Sequence, residues 1–227
     1  MNFIRHRSAS LSMVVLVLFL VGLFQGGISY SISFGRLDNL LPWMSHGLMP
    51  ALAFLVRGSL LLILLVLWIL NRRQQLFNAI IVTNAVFTLG LFLNMVTLLD
   101  ILRGIVYQKV QPLLMDVVLL AIANILLFSI WYWIIDPPGV DGKVRDNETW
   151  DFLFPQRSQP IPNYENWVPR YTDYIYLAYT TSFAFSPTDT LPLTRRAKML
   201  MLLQSTISII TLTAIAGAAI NILAGGS

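Results

Sequence analysis

Residues 173–198 read DYIYLAYTTSFAFSPTDTLPLTRRAK, and this stretch decides how the rest of the chain is interpreted. An aromatic, threonine-rich segment comes first, followed by the polar sequence Ser-Pro-Thr-Asp and then by Pro192, Leu193 and Thr194. After Lys198 there is no charged residue in the next 29 positions. This order predicts a short helix, a polar turn and a long membrane-spanning helix.

The composition places the chain in a lipid bilayer. Of its 227 residues 56% are hydrophobic and 11% are charged, and the mean hydropathy is +0.70, which is far from an ordinary soluble domain. The formal net charge of +4 forms no basic stripe, because Lys and Arg stand singly or in pairs between apolar runs. Nucleic acid is therefore not an expected partner.

Enzymatic chemistry has little support in the sequence. There is no cysteine, the two histidines are His6 and His46, and no phosphate-binding loop or catalytic-triad spacing occurs. We expect a protein that is not an enzyme and that needs no cofactor or metal.

Uncharged intervals long enough to cross a bilayer occur five times. About 20 apolar residues of helix are needed to span the hydrocarbon core. The predicted spans are residues 11–31, 50–70, 77–98, 113–135 and 199–223. The first is expected to be retained, because residues 8–34 contain no Ala-x-Ala cleavage pattern. The predicted fold class is an all-α integral membrane protein with about five transmembrane helices and a pore-loop-like half-helix before the last span.

The chain divides into an N-terminal three-span region, residues 1–110, and a C-terminal module, residues 111–227. Within the module, residues 136–172 form a polar region rich in proline and aromatic side chains, and this content predicts a small folded cap on the membrane surface. Residues 136–173 contain seven acidic and four basic residues. Two interpretations stay open: an acidic vestibule that concentrates cations, and a solvated connector whose aromatic residues anchor at the interface.

The order of half-helix, polar turn and apolar helix resembles the pore helix, filter loop and inner helix of the potassium-channel superfamily. When Asp189 and Pro192 are aligned with the acid and proline after that family's filter, Ser186, Pro187 and Thr188 take the place of Gly-Tyr-Gly. The filter glycines permit the backbone angles that aim carbonyl groups at the ion, whereas Pro187 has a fixed φ and no N–H. The resemblance implies a channel-like scaffold without a potassium filter.

Residues 113–223 also resemble a group of bacterial membrane proteins of uncharacterised function. The shared motifs are Trp131-Tyr-Trp-x-x-Asp136, Asp151-Phe-x-Phe-Pro-Gln156, Asp173-Tyr-x-Tyr176 and Phe185-Ser-Pro-Thr-Asp-Thr-x-Pro-Leu-Thr-x-Arg-Ala-Lys198. This resemblance implies membership of that family and a location in the bacterial inner membrane.

Two sets of candidate site residues lie in the C-terminal module. Polar groups of the pore-like loop would line a re-entrant segment: Thr180, Thr181, Ser182, Ser186, Pro187, Thr188 and Asp189. The alternative is that this segment is an interfacial half-helix and a tight turn, and in that case its side chains do not line an ion pathway. Small or polar residues recur at three- and four-residue steps along the last span, which indicates close helix packing or a wetted lining: Gln204, Ser208, Thr211, Ala214, Ala218 and Asn221.

A third candidate is the intramembrane charge pair of Arg57 and Asp116. Fourteen residues separate Arg57 from Arg72, which is about 21 Å of helix, so the two arginines do not reach opposite headgroup layers. An arginine at that depth favours an acidic partner, with Asp116 or Asp100 as the candidates. Structural pairing and an ion pathway are the two interpretations.

Two functions remain open. One is an ion-channel-like membrane protein, a weakly selective cation pore for monovalent cations; the alternative is a non-conducting assembly or regulatory partner. One chain supplies one pore loop, so the channel function predicts a homo-oligomer of four copies in the bilayer.

The orientation of the chain in the membrane is undecided. An outward pore loop places the N-terminus outside, whereas the opposite orientation puts seven flanking bases inside and three outside. Leaving out the bases of residues 195–198 reduces the seven to four.

Overall fold

The structure, a computed structural model, describes residues 8–28, 48–103, 110–137, 149–158, 162, 167–184 and 189–225. These residues form helices and a two-stranded ribbon. In chain order the elements are α1 (Ser8–Gly27), α2 (Leu48–Ile69), α3 (Arg73–Arg103), α4 (Val110–Ile135), β1 (Phe152–Leu153), α5 (Pro155–Ser158), α6 (Tyr171–Ala184), β2 (Leu191–Pro192) and α7 (Arg195–Gly225).

Five helices, α1, α2, α3, α4 and α7, are long and apolar enough to cross a bilayer. The prediction of an all-α membrane protein with five spans is confirmed at this level. The last helix begins at Arg195 instead of residue 199, because Thr194 acts as an N-cap. Its Oγ1 accepts a hydrogen bond from the backbone N of Ala197 at 3.3 Å.

Helix α4 is central and contacts α1, α3, α6 and α7. Near the end of α4, Trp133 meets Phe77 near the start of α3, with 5.7 Å between the ring centroids. Six residues connect the end of α3 to the start of α4, so the two helices are antiparallel. We call the end of the bundle at Ile135 the cap end.

Helix α2 lies on the outside of the bundle and packs against α1 and α3. Only 6% of the residues in its span Pro50–Ile69 are buried. Trp68 Nε1 donates to Ser12 Oγ at 3.1 Å, so the end of α2 lies beside the beginning of α1. A turn at Asn71, which has a φ of 52°, leads into α3. The starts of α1 and α3 and the end of α2 therefore lie at the cap end.

The described part of the predicted cap region folds onto this end. Strands β1 and β2 pair antiparallel, with Phe152 opposite Pro192 and Leu153 opposite Leu191. The buried ring of Phe152 packs edge-on against Tyr132 of α4, with 5.1 Å between centroids. Because β2 directly precedes α7, the ribbon joins the end of α4 to the start of the last span.

Candidate functional site

Asp136, the first residue after α4, is the centre of the cap. Its carboxylate is fully buried and, among the described residues, accepts hydrogen bonds from at least four groups. Oδ1 accepts from the backbone N of Asp151 at 2.9 Å and of Phe152 at 3.2 Å. Oδ2 accepts from Arg157 Nη1 at 3.0 Å and from Tyr174 Oη at 2.7 Å. One side chain thereby ties the end of α4 to β1, α5 and the start of α6.

Arg157 supplies the countercharge to Asp136, and its side chain is only 3% exposed. The guanidinium carbon lies 4.7 Å from the ring centroid of Trp150 and 5.6 Å from that of Phe154, so two aromatic faces also contact the cation. Breaking such a pair is costly, because the remaining charge stays buried without compensation. In the sequence Asp136 marks the end of a span, but no spacing rule links it to Arg157.

A second buried carboxylate, Asp151, fixes the start of α7. It accepts from Arg196 Nε at 2.7 Å and Nη2 at 2.5 Å, and from the Thr194 hydroxyl. Its own carbonyl accepts from the backbone N of Leu193 at 2.9 Å. This two-point arginine contact is directional as well as charged. It holds the last span against the cap.

Gln204 of α7 bonds to both α6 and α4. Its Nε2 donates to the carbonyl of Ala178 and to Ser182 Oγ, both at 2.8 Å. Its Oε1 accepts a hydrogen bond from Tyr132 Oη. Gln204 lies nine residues beyond Arg195, about 13 Å along the helix axis. A fully buried amide with these three partners fixes the position of α6 relative to α4 and α7.

The rest of the predicted polar face of α7 also packs within the chain. Asn124 Nδ2 of α4 donates to Ser208 Oγ at 2.9 Å. Thr211 is buried, and its hydroxyl bonds to the carbonyl of Ile207 one turn earlier at 3.1 Å. For Gln204, Ser208 and Thr211 the structure therefore describes packing rather than a wetted lining. The side chains of Ala218 and Asn221 lie outside the described residues.

The residues of the predicted pore-like loop are placed in different surroundings. Thr181 and Ser182 are buried, Thr180 is half-buried, and Asp189 is exposed. The hydroxyls of Thr180 and Thr181 bond back to carbonyls of α6. Ser186, Pro187 and Thr188 lie outside the described residues. The inner polar groups of α6 thus serve contacts within the chain, which sequence spacing alone did not indicate.

The opposite face of α6 is aromatic and unpacked. Tyr176, Tyr179 and Phe183 are each about half exposed, and the rings of Tyr179 and Phe183 lie 4.7 Å apart. Exposed residues also form a stripe along α7: Met199, Leu202, Thr206, Ile209, Thr213 and Ile220. These two surfaces are available to lipid or to another chain.

Two ionisable groups stand at the start of α6. Burial raises the pKa of Asp173, although the hydrogen bond from the backbone N of Arg170 and the Arg170 charge act in the opposite direction. Asp173 Oδ2 accepts that hydrogen bond at 2.6 Å, as in a capping box. Burial likewise raises the pKa of Tyr171, and its hydroxyl contact with Ser129 at 2.8 Å offsets only part of the effect. The start of α6 is therefore both capped and buried.

Arg57 makes a different contact from the acidic pairing that the sequence favoured. Its Nη1 donates to the backbone carbonyl of Gln25 at 3.2 Å, and Gln25 Nε2 donates to the carbonyl of Phe87 at 2.8 Å. Gln25 lies in the last turn of α1, where carbonyls lack partners within the helix and a cation is favoured. Asp116 is buried on α4, and the Asp100 side chain lies outside the described residues. Arg57 thus caps the end of α1.

Within the described residues no group of three or more His, Cys, Asp or Glu side chains is placed to hold a metal ion. The chain matches no protein-family model, no curated protein and no solved structure. The resemblance to the potassium-channel superfamily therefore rests on the residues of the C-terminal module alone.

Proposed function

We propose that this protein is an ion-channel-like membrane protein in which α6 is a re-entrant half-helix and several copies together form a weakly selective cation pore. The observation that carries the proposal is the position of α6, which Gln204 holds between α4 and α7 at Ser182. Assembly in the bilayer, and the bacterial inner membrane as its location, are parts of this proposal.

The contacts of α6 support a re-entrant path. Tyr174 bonds to Asp136 at the cap end, whereas Ser182 bonds to Gln204 about 13 Å along α7. The chain is back at the cap end by Leu191, because this residue pairs with Leu153 in the ribbon. A segment that enters and leaves at one end of the bundle, with a helical first half, has the course of a pore loop.

A pore of this kind needs more than one chain, because each chain contributes one copy of α6. The exposed aromatic face of α6 and the exposed stripe of α7 are the surfaces on which neighbouring copies would pack. A homotetramer follows from the resemblance. Native mass spectrometry in detergent tests this, and a strict monomer at all protein concentrations would contradict it.

The expected selectivity follows from the backbone of Ser186, Pro187 and Thr188. Rings of inward carbonyls require backbone angles that glycine adopts easily and that proline excludes. Without such rings, discrimination between potassium and sodium is weak. The exposed carboxylate of Asp189 favours cations over anions through its local field.

Reconstitution of the purified protein in planar bilayers tests the function directly. We expect currents whose reversal potential follows the monovalent cation gradient and differs little between potassium and sodium salts. Empty bilayers under the same gradients are the control. Strong potassium selectivity would contradict the altered filter, and the absence of current in every ionic condition would contradict conduction.

A non-conducting assembly or regulatory partner is the second candidate, and one observation favours it. The most polar face of α7 is buried against α4 and α6, so the exposed stripe that remains is largely apolar. An apolar stripe suits packing against another protein at least as well as it suits a hydrated pathway.

A further inference from the structure

We infer that the cap end of the bundle faces the cytoplasm and that its exposed bases contact the phosphate groups of anionic lipids in the cytoplasmic leaflet. These bases are Arg72, Arg73, Arg195 and Lys198. The inference concerns orientation and lipid binding, so it holds whether or not the protein conducts ions.

The four bases lie at one end of the bundle. Arg72 and Arg73 follow α2 at the turn into α3, and Arg195 and Lys198 belong to the first turn of α7. All four residues are exposed. The contact of Phe77 with α4 places the start of α3 at the cap end, and the β1–β2 pairing places the start of α7 there.

These charges are not neutralised inside the described part of the chain. The carboxylates of Asp136 and Asp151 are already used by Arg157 and Arg196. No acidic residue occurs in the first turn of α3 or of α7. Bases in the first turn of a helix also face the positive end of its dipole, which is unfavourable without an anion nearby. Lipid phosphates at the membrane surface supply that anion.

Charge counting then favours one orientation. Residues 136–170, which contain four bases and six acids, are left out of the count. The remaining flanks of the cap end contain Arg5, Arg7 and Arg196 in addition to the four exposed bases, whereas the other two connections contain Arg36, Arg103 and Lys109. The bases of α7 are included in the count because they lie in the first turn of the span, and the bias is carried by bases within about 15–20 residues of a span's end. Seven bases flank the cap end and three flank the opposite end. Because cytoplasmic flanks carry the excess of Lys and Arg, this count places the cap end in the cytoplasm.

The anionic cytoplasmic leaflet also attracts exposed bases. Each base near this surface raises the affinity of the protein for the membrane surface by about fivefold. If α6 is a re-entrant half-helix, it therefore enters from the cytoplasmic side. This is opposite to the outward pore loop that the channel resemblance implies.

Single-cysteine labelling tests the orientation cleanly, because the natural chain contains no cysteine. Ser158→Cys reports the cap end, and Leu48→Cys, at the first residue of α2, reports the opposite end; both positions are exposed. In intact cells a membrane-impermeant maleimide should label only Leu48→Cys, and Ser158→Cys should label after permeabilisation. Labelling of Ser158→Cys in intact cells, or failure to label Leu48→Cys there, would overturn the orientation. Neither result depends on ion conduction.

Lipid contact is tested by native mass spectrometry of protein released from phosphatidylcholine vesicles containing phosphatidylglycerol. We expect the wild-type protein to retain phosphatidylglycerol preferentially, and replacement of the four bases by Gln to reduce that retention by at least about tenfold. Arg103→Gln with Lys109→Gln is the matched control at the other end and should retain the lipid. Equal retention by the wild type and the variant with all four bases replaced would overturn the lipid contact. The labelling experiment uses other variants, so its result does not depend on how well this variant folds.

Discussion

Tyr174 Oη donates a hydrogen bond to Asp136 Oδ2 at 2.7 Å, and this contact ties the start of α6 to the end of α4. The same carboxylate forms a salt bridge with Arg157, so the position of α6 depends on a buried charge pair. The sequence marks the two elements separately, and the structure joins them at one oxygen atom.

Replacing Asp136 by Ala is expected to destabilise the protein by about 3–5 kcal/mol, because Arg157 would remain buried without a countercharge. Tyr174→Phe removes one hydrogen bond to a charged carboxylate and should cost about 1.5–3 kcal/mol. Thermal unfolding in detergent measures both. The exposed Asp189→Ala is the control, and an Asp136→Ala variant as stable as this control would contradict the buried pair.

Gln204→Leu should loosen α6 more than it affects the other helices. The substitution removes the hydrogen bond from Gln204 to Ser182 and the one from Tyr132 to Gln204, and the loss of a partner by a buried polar group costs about 1–3 kcal/mol. Hydrogen exchange in nanodiscs should show faster exchange in α6, together with a lower Tm. Thr206→Val, on the exposed stripe of α7, is the matched control. Unchanged exchange in α6 would show that Gln204 does not set its position.

Arg57→Leu should weaken the contact between α1 and α2. It removes a charged hydrogen bond to the carbonyl of Gln25, for which the expected loss is about 1.5–3 kcal/mol. Arg57→Lys keeps a cation at the end of α1 and should lose less. Thermal unfolding of both variants checks the order. Equal stability of Arg57→Leu and the wild type would mean that the guanidinium reaches water instead.

The raised pKa of Asp173 predicts a pH dependence of stability. A carboxyl group whose pKa is higher in the folded protein binds more protons there than in the unfolded chain. Its contribution is therefore fully present below the ordinary value of 3.8 and is lost as the pH rises through the folded pKa. The Tm difference between the wild type and Asp173→Asn should shift in favour of the variant as the pH increases. A difference that stays constant with pH would contradict this.

Asp189→Asn tests the origin of cation preference. The substitution removes an exposed negative charge but leaves the preceding tripeptide of residues 186–188 unchanged in sequence. We expect a lower preference for cations over anions and little change in potassium over sodium. Reversal potentials under biionic conditions measure both ratios. A larger change in potassium over sodium would assign selectivity to this carboxylate.

Much of the scaffold was predictable from sequence because bilayer thickness imposes a length on apolar runs. The five spans are visible in this way, and so is the end of α4 at Asp136, where an acid and two prolines stop the helix. The start of α7 was missed by four residues. An apolar run predicts which residues lie in the hydrocarbon core. Helix α7 begins before its apolar run, because Thr194 caps its first turn among polar residues.

The sequence by itself determined that the chain is a membrane protein, where it crosses the bilayer, and that Gln204, Ser208 and Thr211 share one face of the last span. Helical periodicity groups residues on a face but does not say which neighbour covers that face. Only the tertiary structure decided that this face packs on α4 and α6. It also decided that Arg57 bonds to the carbonyl of Gln25, because every residue carries a backbone carbonyl and an unpartnered one at a helix end leaves no mark in the sequence.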